Sequence, residues 1–154
     1  MSQLPIRPFD RQTDFKRVKD FFDNMGGESR GFFNRGGGNG QNALRFFDPN
    51  DKINEEYAFF MALDGEKMAG YVFLWDISKS VVWLGVAVSD DWKGRHLGRD
   101  LMACAEEYAR SKNKGGIMLT TSQGNVRGQG LYTRCGYELI GVHTSGELLF
   151  IKRF

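Results

Sequence analysis

Two apolar, β-branched runs, VVWLGVAVS at 81–89 and IMLTTS at 117–122, flank a segment of helical periodicity. No other stretch limits the fold as much. Two strands joined through a helix must lie parallel, connected by a right-handed crossover. Leu97, Leu101, Cys104, Ala105 and Tyr108 recur at the spacing of one helix face, with Glu106, Glu107 and Arg110 on the outer side. Lys112 and Lys114 suit the negative end of that helix, and Gly115-Gly116 is expected to stop it.

The rest of the chain favours antiparallel neighbours. EYAFFMALD (56–64) leads into Asp64-Gly65, a hairpin turn pair, and KMAGYVFLWDI (67–77) returns. With 81–89 these runs form a meander. YELIGVH (137–143), a Ser145-Gly146 turn and ELLFIKRF (147–154) make a last hairpin. LPIRPF (4–9) reads as a short edge strand because of its two prolines. Phe15, Val18, Phe22 and Met25 mark a first helix, capped by Thr13 or Asp14 and ended by Gly26-Gly27. NALRFFD (42–48) is a candidate short helix, and a further one is expected at about 125–135. The expected fold class is α/β (α+β): a mixed, mostly antiparallel central sheet of about seven strands flanked by helices, with one βαβ unit. Residues 1–154 are expected to form a single domain.

Composition narrows the function classes. Hydrophobic residues are 41% and aromatics 14%, enough for a packed core. A net charge of +2 without any Lys/Arg block argues against a nucleic-acid surface. No apolar run reaches the length of a membrane span, and the first residues have no signal-peptide pattern, so a cytoplasmic location is expected. Cys104 and Cys135 are not in metal or redox spacing, and no metal is expected.

The chemistry points to DDWKGRHLGRDLM (90–102), which joins the first parallel strand to its helix. A helix start leaves backbone N–H groups unpaired and carries partial positive charge. Gly94 and Gly98 let a bulky phosphate approach, and Lys93, Arg95 and Arg99 add counter-charge. The loop therefore suits an anion. It is neither G-x-x-x-x-G-K-[ST] nor G-x-G-x-x-G.

VAVSDDWKGRHLGRDLM resembles the acetyl-CoA-binding motif of the GNAT superfamily of N-acetyltransferases: a strand, then Q/R-x-x-G-x-G/A, then a helix. Lys93 stands at the Q/R position, His96 at the first glycine and Gly98 at the second. NVRGQGLYTRCGY (125–137) resembles that family's N-x-x-A-x-x-L-Y-x-x-x-G-F, with Asn125, Gly128, Leu131, Tyr132, Gly136 and Tyr137 in register. The resemblance implies acetyl-CoA as cosubstrate and a primary amine of a small molecule or peptide as acceptor. It implies that Val86, Ala87 and Val88 pair with the pantetheine arm. Lys93, Gly94, Arg95, His96, Gly98 and Arg99 would surround the pyrophosphate, and Asn125 would contact the coenzyme. Tyr132 would be the general acid for the departing thiolate. A left-handed backbone at His96 would be strained, though His tolerates it better than most residues. The protein would act as a monomer or homodimer, without nucleic acid or membrane partners.

The base is less legible. Family members often carry Glu or His on the third meander strand, where this chain has Val82, Trp83 and Leu84. Glu28, Glu55, Glu56, Asp76 and His143 are alternatives, beside a water chain. Glu28, Phe33 and Trp83 are candidate acceptor residues; Phe32, Phe46 and Trp75 could add to an apolar lining, and Arg30 or Arg35 could hold a carboxylate. The glycine-rich segment 26–40, with seven glycines, is a candidate lid. The missing base motivates an alternative: a coenzyme-binding sensor or a degenerate family member without turnover.

Overall fold

The computed structural model describes residues 4–10, 12–23, 58–75 and 77–154. In chain order its elements are β1 (Ile6–Pro8), α1 (Phe15–Asp23), β2 (Ala58–Asp64), β3 (Lys67–Trp75), β4 (Val81–Val88), a 3-10 turn (Asp90–Trp92), α2 (Leu97–Ser111), β5 (Gly116–Thr121), α3 (Val126–Arg134), β6 (Glu138–Val142) and β7 (Leu148–Arg153). The strands form one seven-stranded sheet in the order β1-β2-β3-β4-β5-β7-β6. Among the described residues only β4 and β5 pair in parallel, and the other pairs are antiparallel. The expected fold class is therefore observed. The segment 26–40, the helix proposed at 42–48, Met25, Asp76, Glu55 and Glu56 lie outside the described residues.

The two sheet faces build two cores. Val82, Leu84, Ile117 and Leu119 pack with Leu97, Leu101, Met102, Ala105 and Ala109 of α2, with Tyr132 and Tyr137 beside them. On the other face Met61, Met68 and Tyr71 pack with Val18 and Phe21 of α1. Because strand side chains alternate, even-numbered residues of β4 face α2 and odd-numbered ones face the α1 side. Val86 and Val88 accordingly touch the first core and Ala87 the second.

Several boundaries differ from expectation, for local reasons. Phe21, three positions after Val18, joins it in the core, and the side chain of Phe22 lies outside what is described. The β2–β3 connection is Gly65-Glu66, since Asp64 already pairs with Lys67 and Gly65 takes φ +62°. Helix α2 ends at Ser111, and Asn113 rather than the glycine pair closes it: Asn113 adopts φ +60° and the Lys114 amide reaches back to the Ala109 carbonyl. Gly116 instead opens β5, where a Cβ would stand 2.7 Å from the Lys152 carbonyl.

Asp14 fastens α1 to the edge of the sheet. Its fully buried carboxylate accepts two hydrogen bonds from Arg7, at 2.7 and 2.8 Å, one from Arg17 at 2.9 Å and one from the Asp10 amide at 2.8 Å. The Asp14 carbonyl accepts from the Val18 amide, as a helix cap does. The hydrogen bonds from Arg7 are the main reason its carboxyl titrates below the ordinary aspartate range; burial opposes them.

Candidate functional site

The parallel pair is short. β4 and β5 are matched only from Val81–Gly116 to Trp83–Met118. Beyond that, β4 continues against β3 as far as Val88–Gly70, and β5 continues against β7 as far as Thr121–Leu148. From Leu84 to Val88 the β5-side edge of β4 therefore has no ladder to β5. Val86, Ala87 and Val88 lie on this stretch and are half-buried.

The loop at the end of β4 bends the chain into α2. Gly94 has φ +76° and His96 φ +67°, so the loop turns twice through left-handed backbone before Leu97 opens the helix. At His96 a non-glycine residue carries that conformation, at a cost of about 1–3 kcal/mol. Among the described residues, nothing accepts a hydrogen bond from the amides of Gly94 to Arg99; Asp100 is the first to donate, to the His96 carbonyl at 3.2 Å. Unpaired amides at the positive end of a helix dipole are the arrangement that favours an anion.

The surrounding cations are arranged differently from expectation. Lys93 pairs with Asp90 at 2.8 Å. Arg95 lies over the Trp92 indole, 4.8 Å from the ring centroid, and Arg99 is exposed. Gly98 was expected to open space for a phosphate. Its missing Cβ faces α3, where it would stand 3.0 Å from the Leu131 side chain, so glycine there also serves close helix packing. Sequence reasoning missed Arg127. Its guanidinium comes within 3.8 Å of where a Cβ on Gly94 would stand, adding a cation from α3 to the loop. The signal was a lone Arg in the first turn of the second motif.

That second motif is explained residue by residue. The Asn125 side chain caps α3, accepting from the Gly128 amide at 3.1 Å and donating to Thr121 Oγ1 at 3.1 Å. A Cβ on Gly128 would stand 2.4 Å from the Asn125 carboxamide, so glycine leaves room for the cap. Leu131 packs on Gly98. Gly136, at φ +90°, ends the helix, and the Tyr137 amide returns to the Tyr132 carbonyl at 2.9 Å. Tyr132 is 7% exposed, with its ring 5.8 Å from Phe150 and 6.4 Å from Tyr137. Burial first, then the negative potential of Cys135 and Glu147, push its phenol above the ordinary value, so it holds its proton at neutral pH.

The opposite face carries a row of rings. Tyr71, Phe73 and Trp75 stack along β3; Trp75 stacks on Trp83 across to β4 at 6.0 Å; His143 meets Trp83 edge-on at 5.9 Å. Trp83 is thus brought to the end of the parallel pairing, on the α1 side. His143 is poorly set to be a base. Its Nδ1 accepts the Ser145 amide at 3.1 Å, so the neutral ring carries its proton on Nε2. Glu28, Phe33, Phe32, Phe46, Arg30 and Arg35 lie outside the described residues.

The described residues thus form a mixed seven-stranded α/β sheet whose one parallel pair parts ahead of a helix start with unpaired amides. The Acetyltransferase (GNAT) family profile matches residues 28–137. The chain belongs to the GNAT family of acetyltransferases. It is 24% identical over 91 residues to the Bacillus subtilis (strain 168) protein named "Putative ribosomal protein bS18-alanine N-acetyltransferase"; the match spans 58% of this chain and 60% of that protein. Two solved structures cover all of both chains. A domain from Methanocaldococcus jannaschii DSM 2661 has a TM-score of 0.79 at 12% identity, and the PaiA N-acetyltransferase of Thermoplasma acidophilum, in complex with coenzyme A, has 0.76 at 16%. An aminoglycoside acetyltransferase, AAC(6')-Ib, in complex with coenzyme A, reaches 0.75 at 14%, covering 98% of this chain and 95% of that one.

Proposed function

We propose that this protein is an N-acetyltransferase, moving the acetyl group of acetyl-CoA to a primary amine by direct attack in a ternary complex. The observation that carries this reading is the unladdered edge of β4, with the free amides of Gly94 to Arg99 at its end, and with Tyr132 packed on Phe150, the partner of Leu119 just past the last parallel pair. A pantetheine arm is a chain of amides, and Val86, Ala87 and Val88 offer it a strand edge. The pyrophosphate suits the loop of Lys93, Gly94, Arg95, His96, Gly98 and Arg99, joined by Arg127. Asn125 acts here through its cap, holding α3 and hence Tyr132 in place. Tyr132 donates its phenolic proton, or a hydrogen bond, to the sulfur as the C–S bond breaks. We read residues 1–154 as one such domain. Among the described residues no helix is long and apolar enough to cross a membrane.

Two measurements test this. Thiol release from acetyl-CoA is expected with at least one amine among an alanine-initiated hexapeptide, spermidine and kanamycin, and millimolar acetyl-CoA is expected to raise the melting temperature. Neither effect would leave a family fold without the family reaction. A matched pair of arginines then maps the coenzyme site. Arg127→Ala is expected to weaken acetyl-CoA binding about tenfold, roughly 1.4 kcal/mol, as one charge-assisted contact is lost. Arg110→Ala should change it less than about twofold, because Arg110 is occupied with Glu106 and the Phe154 ring. Equal affinities by calorimetry would move the phosphates elsewhere.

A further inference from the structure

We propose that Glu147 is the general base that deprotonates the acceptor amine, an inference that rests on the acetyltransferase reading above. Glu147 stands on the turn into β7, and its carboxylate accepts from Thr120 Oγ1 at 3.3 Å. Ile117 and Leu119 of β5 face α2 and Tyr132, as do Leu148 and Phe150 of β7. Strand alternation therefore places Thr120 and Glu147 on the opposite face, the one that carries Met118 and its β4 partner Trp83. The hairpin is held over that face: His143 packs edge-on to Trp83, and the His143 amide donates to the Glu147 carbonyl at 2.7 Å.

A carboxylate and a phenol thus approach the parting of β4 and β5 from its two sides. The charge of Glu147 reaches the Tyr132 phenol, where it is one of the causes, after burial and Cys135, that hold the proton on. An amine entering from the ring-lined face meets Glu147 first, and a thiolate leaving toward α3 meets Tyr132. The steps balance. The ammonium gives a proton to Glu147, and its nitrogen bonds to the acetyl carbonyl carbon. The C–S bond breaks, and the sulfur takes the Tyr132 proton. The nitrogen sheds its second proton to restore Tyr132, and Glu147 returns the first to solvent. The products are amide, free thiol and one released proton. Among the described residues, the titratable groups coupled to Glu147 are His143, whose amide donates to its carbonyl within the same hairpin, and Tyr132, which feels its charge from the other face.

The test compares wild type with Glu147→Gln, using whichever of the hexapeptide, spermidine or kanamycin turns over, from about pH 6 to about pH 9.5. The expected result is a fall in kcat/KM of about 10²–10⁴-fold near pH 7, shrinking as pH rises and the free amine becomes abundant. The thermal shift by acetyl-CoA should be unchanged. Activity within about threefold of wild type (under ~1 kcal/mol) overturns the inference, and so does a loss that is the same at every pH. Should Glu147→Gln lose the acetyl-CoA shift through misfolding, Thr120→Val decides. Removing the hydroxyl that holds the carboxylate should lower kcat about 3–10-fold with the acetyl-CoA KM unchanged, and no loss overturns the inference. A wild type without transfer overturns the underlying reading together with this one; an active wild type with an active Glu147→Gln overturns this one alone.

Discussion

Tyr132→Phe is expected to lower turnover by about 10²–10⁴-fold while changing acetyl-CoA affinity less than about threefold. In the proposed reaction the hydroxyl acts only as the C–S bond breaks, so its loss should be felt in the transition state and not in the bound ground state. Phe keeps the ring that packs against Tyr137 and Phe150, so the fold should survive. The raised phenol also fixes the form of the effect. A thiol titrates near ~8.5, so the departing thiolate is a weaker base than the phenoxide it would create. Stabilisation by a hydrogen bond from an intact phenol therefore comes before any full transfer. Single-turnover rates with saturating acetyl-CoA check this. Unchanged chemistry would remove Tyr132 as the acid, and a large affinity loss with normal turnover would make it a binding residue.

Asp14→Ala is expected to destabilise the protein by about 2–4 kcal/mol, lowering Tm by about 5–15 °C. The variant strips a fully buried carboxylate from two arginines and from the Asp10 amide. The estimate sits below the usual value for breaking a buried pair because the Arg7 side chain is 40% exposed and water solvates it once Asp14 is gone. The pH dependence has a definite sign. The carboxyl is depressed in the folded protein, so its stabilisation is present above the unfolded value near ~3.9 and is lost as pH falls through the lower folded value. Wild type and Asp14→Asn should therefore converge in stability as the pH drops below about 4. A Tm change under about 2 °C at neutral pH would show that the cluster is only a solvated ion pair.

These two residues show different degrees of legibility. Tyr132 could be named from the motif that contains it. Asp14 could be named only as a possible cap, because its partner Arg7 lies on another element and nothing in the spacing announces the pair. Glu147 was still less visible. It and Thr120 are 27 positions apart, and they meet only because β7 inserts between β5 and β6. Arg127 was visible as a charge, yet its reach to Gly94 depends on how α3 packs against α2.

By itself, the sequence determined what local periodicity and backbone chemistry can determine. Alternation named the strands, 3.6-residue spacing named the helices, and a strand–helix–strand run allowed only a parallel crossover. Glycines and cations at a helix start marked the candidate anion seat before any fold was known. Tertiary structure decided what depends on residues distant in the chain. It set the β5-β7-β6 order and made the β4–β5 ladder stop after three pairs. It turned Gly98 toward Leu131 and tied Lys93 to Asp90. It also set Glu147 beside Thr120 and Tyr132 beside Phe150 on opposite faces of the β5–β7 ladder. Local sequence specifies torsion angles and which face of an element is apolar. Which faces meet, and which polar groups are left free where they meet, is fixed only when the layers pack.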